Sequence, residues 1–406
     1  VPSPAALRAF RHRDYRVFFA GQAVSLVGTW MQSVAQAWLV LQLTGSPLRL
    51  GLVSALQFLP LLVLSVPAGA LTDRVRKRRT LVATQAALGG LAATLALLVW
   101  TERAAYWQVC AIALGAGLVN TLDTPTRQTF VAQLVGRDDV ASAIGLNSAA
   151  FNTARIVGPA VAGLLIAHVG LAPAFALNAA SFLGVIGALL ALRDPGAPRP
   201  RGAATMWEDI RAGLAYALGT PRIRLTLAVL LVMSLCVFNF NVFVALIARQ
   251  QLGLDARGFG FLMAWLGAGA VTGALALAAR TRRPPPLLAT GLVACAGLAG
   301  LAGAGSFVAA AAGLYLVGAA GIMTVSGCNT TLQLTAPDEL RGRVMSLYTL
   351  IFGGSIPLGA LAVGAVSEAW GVSRALLAAG LGGAAALAVV LVLARHARPG
   401  DMTAAG

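Results

Sequence analysis

The chain has 406 residues, a mean hydropathy of +0.81 and only 11% charged side chains, against roughly 25% in a soluble globular domain. So much apolar surface cannot be hidden in one aqueous core, which excludes a water-soluble enzyme or binding module and makes lipid the solvent. The formal net charge of +16 invites a nucleic-acid reading, but the basic residues are sorted along the chain by side, and nucleic acid is excluded as a partner.

Twelve apolar runs are each long enough to span, at roughly 20 or more residues: 16–43, 47–71, 79–101, 106–130, 140–168, 172–192, 223–250, 258–279, 286–305, 307–334, 340–367 and 373–394. They predict an all-α membrane protein of twelve transmembrane helices in two pseudo-symmetric six-helix bundles, 1–192 and 222–406, joined by a connector at 193–221. An internal echo supports the two halves. Gln133-Leu134 followed by Asp138-Asp139 returns as Gln333-Leu334 followed by Asp338-Glu339. Gln42-Leu43 with Leu50-Gly51-Leu52 returns as Gln251-Leu252 with Phe259-Gly260-Phe261. Two embedded halves built to one plan imply a transporter whose site lies at the repeat interface.

In chain order, the N-terminus carries Arg8, Arg11, Arg13 and Arg16, and the loop between the second and third spans carries Arg74, Arg76, Lys77, Arg78 and Arg79. Arg127, Arg137, the connector arginines and Arg341 and Arg343 fall on the same side, while Arg49, Arg103, Arg249, Arg257 and Arg374 fall on the other. By the positive-inside rule both termini are expected in the cytoplasm of a multi-pass protein of the inner (plasma) membrane, with anionic headgroups of the cytoplasmic leaflet as lipid partners. The basic N-terminus leads directly into a full-length span, so no cleavable signal is expected.

Cys110, Cys236, Cys295 and Cys328 all lie within spans without CxxC spacing, and His12, His168 and His396 lie at helix ends or tails. Neither set predicts a metal site, and no cofactor is expected. The connector opens with the Pro-rich DPGAPRPRG. It continues into a stretch where Trp207, Ile210, Leu214 and Ala217 share one helical face, read as an amphipathic helix at the interface. The fifth and eleventh spans contain Pro159 and Pro357, where a lost backbone hydrogen bond bends a helix.

Polar side chains at membrane depth mark the candidate site. In the first span, Gln22, Ser25, Thr29, Gln32, Ser33 and Gln36 fall within an arc of about 100°, as a cavity-lining stripe would. In the fourth, Asn120, Asp123 and Arg127 share a face. In the fifth, Ser148, Asn152 and Arg155 do. Asp123 and Arg155 either pair or, at depths differing by roughly 8 Å, act separately. Arg155 either meets an anionic or hydrogen-bond-rich substrate or is a structural arginine satisfied by carbonyls and Asn152. In the second half, the repeat offset sets Ser234 opposite Ser25 and Asn241 opposite Gln32. Asn239 lies about 200° from Asn241 on a continuous helix, so Asn241 is preferred as the cavity residue. Ser326, Asn329 and Gln333 share a face of the tenth span.

The loop GALTDRVRKRR, from Gly69 through Asp73 and Arg74 to Arg79, resembles the signature loop of the major facilitator superfamily, departing from it at Arg76, where that motif has glycine. ARIVGPAVAG, with Gly158, Pro159 and Gly163, resembles the Gly-Pro antiporter motif of drug exporters. FRHRDYRVFFAGQAVSLVG, LTGSP and DTPTRQ are similar to the branch holding the enterobactin exporter and the macrolide efflux proteins. The resemblance implies the major facilitator fold, an electrostatic lock at Asp73 and Arg74, and alternating access in a monomer. It also implies export of a small siderophore- or drug-like amphipathic substrate by proton antiport, for which Asp123 is the protonation candidate. A lysolipid or lipid transporter, or an importer of the same fold, is the alternative within the class. A non-transporting membrane receptor or accessory subunit is the alternative from another class. No nucleotide-binding GxxxxGK[ST] loop and no nucleophile–base pair stands out, so an enzyme is not expected.

Overall fold

The computed structural model describes residues 5–193, 214–279 and 286–396, all helix and connecting turn with no strand among them. A short 3-10 helix, Ala5–Arg11, precedes α1 (Arg13–Thr44), α2 (Pro47–Arg74), α3 (Lys77–Trp100), α4 (Tyr106–Val169) and α5 (Ala172–Ala191). Then come α6 (Pro221–Cys236), α7 (Phe240–Leu246), α8 (Ala256–Ala278), α9 (Leu287–Gly300), α10 (Phe307–Thr335), α11 (Asp338–Trp370) and α12 (Val372–His396). Residues 194–213 of the connector, with most of its amphipathic helix, fall outside the described residues.

Ten helices among the described residues are long and apolar enough to cross a membrane, and Leu287–Gly303 is a shorter apolar helix. The exception is the first limb of α4, which fails on composition because Asn120, Asp123 and Arg127 sit on it. The fourth and fifth spans are separate helices as expected: α4 consists of two limbs that meet at Gly136, whose φ of 72° and ψ of 175° leave helical geometry and only glycine adopts readily. The same repeat string in the second half has Ala336 and Pro337 in place of Gly136 and Arg137. There the chain leaves the helix in extended conformation, with Ala336 at φ −76°, ψ 131°. Helical geometry persists through Pro125 and Pro159 of α4. At the departure from the signature loop, Arg76 caps α3 at φ −74°, ψ 101°, a conformation that needs no glycine.

The chain divides into two compact units, one from the described residues within 1–45, 56–202 and 255–264, the other from those within 46–55, 203–254 and 265–396. In the first unit, α1 packs on α4 and α5, and α5 packs on α3. Tyr15, Phe18 and the 3-10 helix residue Ala9 share a core with Phe130, Val135 and Ala143 on both sides of the Gly136 break. The 3-10 helix is pinned there by polar contacts as well: Ala9 N donates to Ser142 Oγ at 3.0 Å, and Asp139 meets Arg11 at 2.6 Å and His12 at 2.8 Å. In the second unit, α9 packs on α10 and α12, and α6 packs on α10, α11 and α12. Small residues set the closest approaches in a solvent where apolar burial offers little drive. Gly269 and Gly273, four apart on α8, lie against the carbonyls of Tyr315 and Ala319, and Tyr315 OH donates to Thr272 Oγ1 at 2.8 Å.

Candidate functional site

Arg155 lies in the second limb of α4, buried, with its guanidinium carbon 5.7 Å from the centroid of the Trp30 ring of α1. Trp30 in turn meets Phe151 edge-on at 5.5 Å. Gly158, one turn beyond Arg155, makes this possible. A Cβ there would sit 2.6 Å from Trp30 Cβ and 2.8 Å from Val27 O, so only glycine lets the two helices close on each other. A planar, permanently charged fork on an indole face is a desolvated cation–π pair, worth about 0.5–2 kcal/mol. Asn152, named above as one partner a structural Arg155 would use, donates its Nδ2 to Ser148 O one turn back at 2.8 Å.

The polar stripe of α1 is divided by its surroundings. Gln22, Ser25 and Gln36 are buried. Thr29 and Ser33 turn their hydroxyls back onto Ser25 O and Thr29 O, at 2.9 and 3.1 Å. Gln32 reaches sideways to α5, where its Oε1 accepts from Asn178 Nδ2 at 2.6 Å. Gln22 Oε1 is buried with no hydrogen-bond partner among the described residues, so it keeps an acceptor to offer.

Asp123 is fully buried and turned toward α3. Its Oδ1 accepts from Thr84 Oγ1 at 2.6 Å and Gln85 Nε2 at 2.9 Å, and its Oδ2 lies 3.1 Å from Arg127 Nη2 one turn along. Two donors and a cation on one carboxylate are the surroundings a buried charge requires. Asp123 is thus held from α3, and the Arg155 guanidinium lies on Trp30 of α1. Asn120 folds back onto Ala116 O at 2.9 Å.

In the second unit, the seventh span, expected as one helix over 223–250, is broken. It leaves helical geometry at 237–239 and resumes as α7. The break invalidates the 100° step used to separate Asn239 from Asn241. Asn239 is buried, and its Nδ2 donates to Leu235 O at 2.8 Å; Asn241 is half-buried. Around the break gathers an aromatic cluster: Phe238 with Phe240 at 5.1 Å and with Phe352 of α11 at 5.3 Å, and Phe352 stacked on Tyr348 at 6.0 Å. Tyr348 hydrogen-bonds Asn329 of α10, which accepts from Gln333 Nε2 at 2.5 Å. The structure therefore brings together Asn329 and Gln333 as expected and adds an aromatic wall beside them.

Of the conformational motif, Gly69, Asp73 and Arg74 fall within α2, and their side chains lie outside the described residues. Gly163 lies against the start of α8 in the same unit: a Cβ there would meet Gly260 Cα at 3.0 Å and Ala256 O at 3.1 Å. Nearby, Trp38 stacks on Phe259 at 5.9 Å, and Arg257 meets His168 at 2.8 Å. In the second unit the start of α2 makes the matching contact with α11. Gly51 lies on Ala360 O, Gly364 on Pro47 O, and Ser46 Oγ donates to Glu368 at 2.9 Å.

Sequence reading missed Asn178, Thr84, Gln85, Trp30 and the aromatics at 238, 240, 348 and 352, and set Asn239 aside in favour of Asn241. The available signal was the FNFN string at 238–241, two amides and two rings in an otherwise aliphatic span. The others are single polar or aromatic residues that only their neighbours make important. One groove of about 340 Å³ in the second unit is lined by Arg222, Thr226, Val229, Leu287, Leu288 and Thr331 among others; none of the expected site residues borders it. Among the described residues there is no cluster of three or more metal-ligating side chains.

Comparison with known proteins places this geometry in context. The model of one protein family, described as a transmembrane secretion effector, matches residues 4–404. The staphyloferrin A transporter of Staphylococcus aureus is 30% identical over 153 residues, 37% of this chain; the alignment spans only 38% of that relative, well under two thirds. The multidrug efflux pump Tap of Mycolicibacterium fortuitum is 29% identical over 372 residues, 87% of this chain and 89% of the pump. Among solved structures, a bacterial homologue of the human lysosomal transporter Spinster, inward-facing and occupied, superposes with a TM-score of 0.76 at 13% identity. That match covers 95% of this chain and 97% of that one. At that identity the likeness is one of fold.

Proposed function

Because the chain belongs to the transmembrane secretion effector family of the major facilitator superfamily, and so is a membrane transporter rather than an enzyme, we propose that it is a secondary active exporter of a small amphipathic molecule. The single observation that carries this reading is the buried Arg155 guanidinium lying on the Trp30 ring within a spanning helix. The first unit holds the Arg155 guanidinium on Trp30 with the unsatisfied Gln22 acceptor close in sequence. The second holds the aromatic cluster of Phe238, Phe240, Phe352 and Tyr348 beside Asn329 and Gln333. An anionic or hydroxyl-rich group suits the first, since guanidinium offers bidentate donors. Aromatic surface like the second, taken by itself, suits hydrophobic or ring-bearing groups. The relatives named above, a staphyloferrin A transporter and a multidrug efflux pump, likewise move small molecules.

Proton antiport is the proposed drive, with Asp123 as its carrier. Its carboxylate is buried against Thr84, Gln85 and Arg127, and Arg127 is the contact whose movement in a conformational cycle would change the charge balance around it. The glycine contacts at Gly163–Gly260 and Gly51–Ala360 suit alternating access, because faces of small residues pack tightly yet part without disentangling long side chains. Residence as a monomer with both termini in the cytoplasm, and contact of the basic loops with anionic headgroups, belong to the same proposal.

The test is transport by the purified full chain in liposomes under an imposed pH gradient, with a labelled carboxylate siderophore and a labelled macrolide as probes. Gradient-dependent accumulation of either, lost in Arg155→Ala at unchanged insertion and melting temperature, is the expected result. Saturable binding with no accumulation under any gradient would replace the exporter with a receptor.

A further inference from the structure

The break in the seventh span has a specific chemical anatomy. In a continuous helix the N–H groups of residues 238 and 239 would donate to the carbonyls of Ser234 and Leu235. Here Val237 N keeps its normal acceptor, Met233 O, at 2.9 Å, but Phe238 N also turns to Met233 O, at 3.0 Å. The carbonyls of Ser234 and Leu235 thereby lose their main-chain donors. The group that takes over is the Asn239 side chain, whose Nδ2 lies 2.8 Å from Leu235 O and 3.4 Å from Ser234 O. The main-chain carbonyl of Asn239 then accepts from Val242 N and Phe243 N, both at 3.1 Å, and starts α7.

We propose that Asn239 is a side-chain latch that lets the seventh span exist in two forms, broken as seen here and continuous. Its carboxamide stands in for the lost peptide donors. One amide N–H···O=C bond replaces another, so the main-chain carbonyls of Ser234 and Leu235 are not left without a donor in a medium where such a group costs several kcal/mol. In the continuous form residues 238 and 239 return their own N–H groups to Ser234 and Leu235, and the carboxamide is released. Phe238 and Phe240, which bracket the latch, change direction with it. The latch therefore moves half of the aromatic cluster.

Two further observations fit a switch better than a static kink. Asn239 is buried, yet its Oδ1 has no hydrogen-bond partner among the described residues, and neither does the fully buried Ser234 Oγ. The broken form is thus not fully satisfied, and an alternative that frees both groups competes with it. Gly359 of α11 also clears the space: a Cβ there would collide with Asn239 Nδ2 and with Leu235 O. The sequence keeps a slot open for this one side chain.

The inference rests on the transporter reading for its purpose but not for its test. Spin labels at Leu231 of α6 and Gln250, beyond α7, in the full chain in lipid nanodiscs report the distance across the break. Asn239→Asp keeps the volume and removes both donors. Asn239→Leu removes all hydrogen bonding, and Gly359→Ala displaces the amide from the other side. All three are expected to shift the distance distribution toward the straight-helix value, by about tenfold in population, the change that loss of one buried hydrogen bond produces. They are also expected to slow turnover. Wild-type distributions in those variants that keep the wild-type melting temperature would overturn the proposal. A shifted distribution in a protein that transports nothing would leave the latch standing and remove the exporter reading instead.

Discussion

Gly260, at the start of α8, lies so close to Gly163 of α4 that a Cβ on it would fall 2.7 Å from Gly163 Cα and 2.5 Å from Pro159 O. These are backbone atoms, so nothing can rotate out of the way. Gly260→Ala must push the two helices apart, at about 1–3 kcal/mol for overpacking. The expected outcome is a lower melting temperature together with impaired transport. Gly187→Ala, where a Cβ meets nothing within 4 Å, serves as control. Equal melting of the two variants would show that the glycine contact imposes no constraint.

The break between the limbs of α4 predicts opposite effects for two glycines. Gly136 has open space around it but sits at φ 72°, ψ 175°, so Gly136→Ala costs about 1–3 kcal/mol through backbone strain alone. Gly145 also has nothing within 4 Å and lies in regular helix. Gly145→Ala should gain roughly 0.5–1 kcal/mol. Thermal melts of the two variants check the sign of each.

The 3-10 helix before α1 is tied to the second limb of α4 through Asp139, whose side chain is 1% exposed while Arg11 is 60% exposed. Removing the acid should matter more than removing a solvated pair. Asp139→Asn is expected to lower the melting temperature and to open the N-terminal segment to protease. Arg13→Ala, from the surface pair of Arg13 with Asp14 at 3.3 Å, should change neither. Identical proteolysis of both variants would show that the tie contributes nothing.

Asp123→Asn preserves an acceptor for Thr84 and Gln85 and loses only the charge facing Arg127. The fold should survive with a small stability change. Gradient-driven accumulation in liposomes should disappear while counterflow exchange of substrate continues. Undiminished accumulation would remove Asp123 as the proton carrier.

Much of this protein was legible without coordinates because lipid makes a severe demand. Every backbone group must be satisfied inside its own segment, so long apolar runs can only be helices, and their number and order follow from composition. The repeat strings and the loop from Gly69 to Arg79 carried the family likeness in the same one-dimensional way. Arg155 and Asp123 stood out as costly at their depth, whatever surrounded them.

Which neighbour each polar group meets was not legible. Gln32 and Gln36 share a stripe on paper, but Asn178 on another helix draws Gln32 aside, and nothing local to α1 foretells it. The seventh span reads as one helix because its hydropathy is unbroken. Only the tertiary arrangement, with Gly359 leaving room for the Asn239 carboxamide, allows a side chain to replace main-chain hydrogen bonds and turn the helix. Sequence periodicity assumes a constant 100° per residue. Where packing supplies another donor that assumption lapses, and the orientation of every residue beyond the break belongs to the fold rather than to the string.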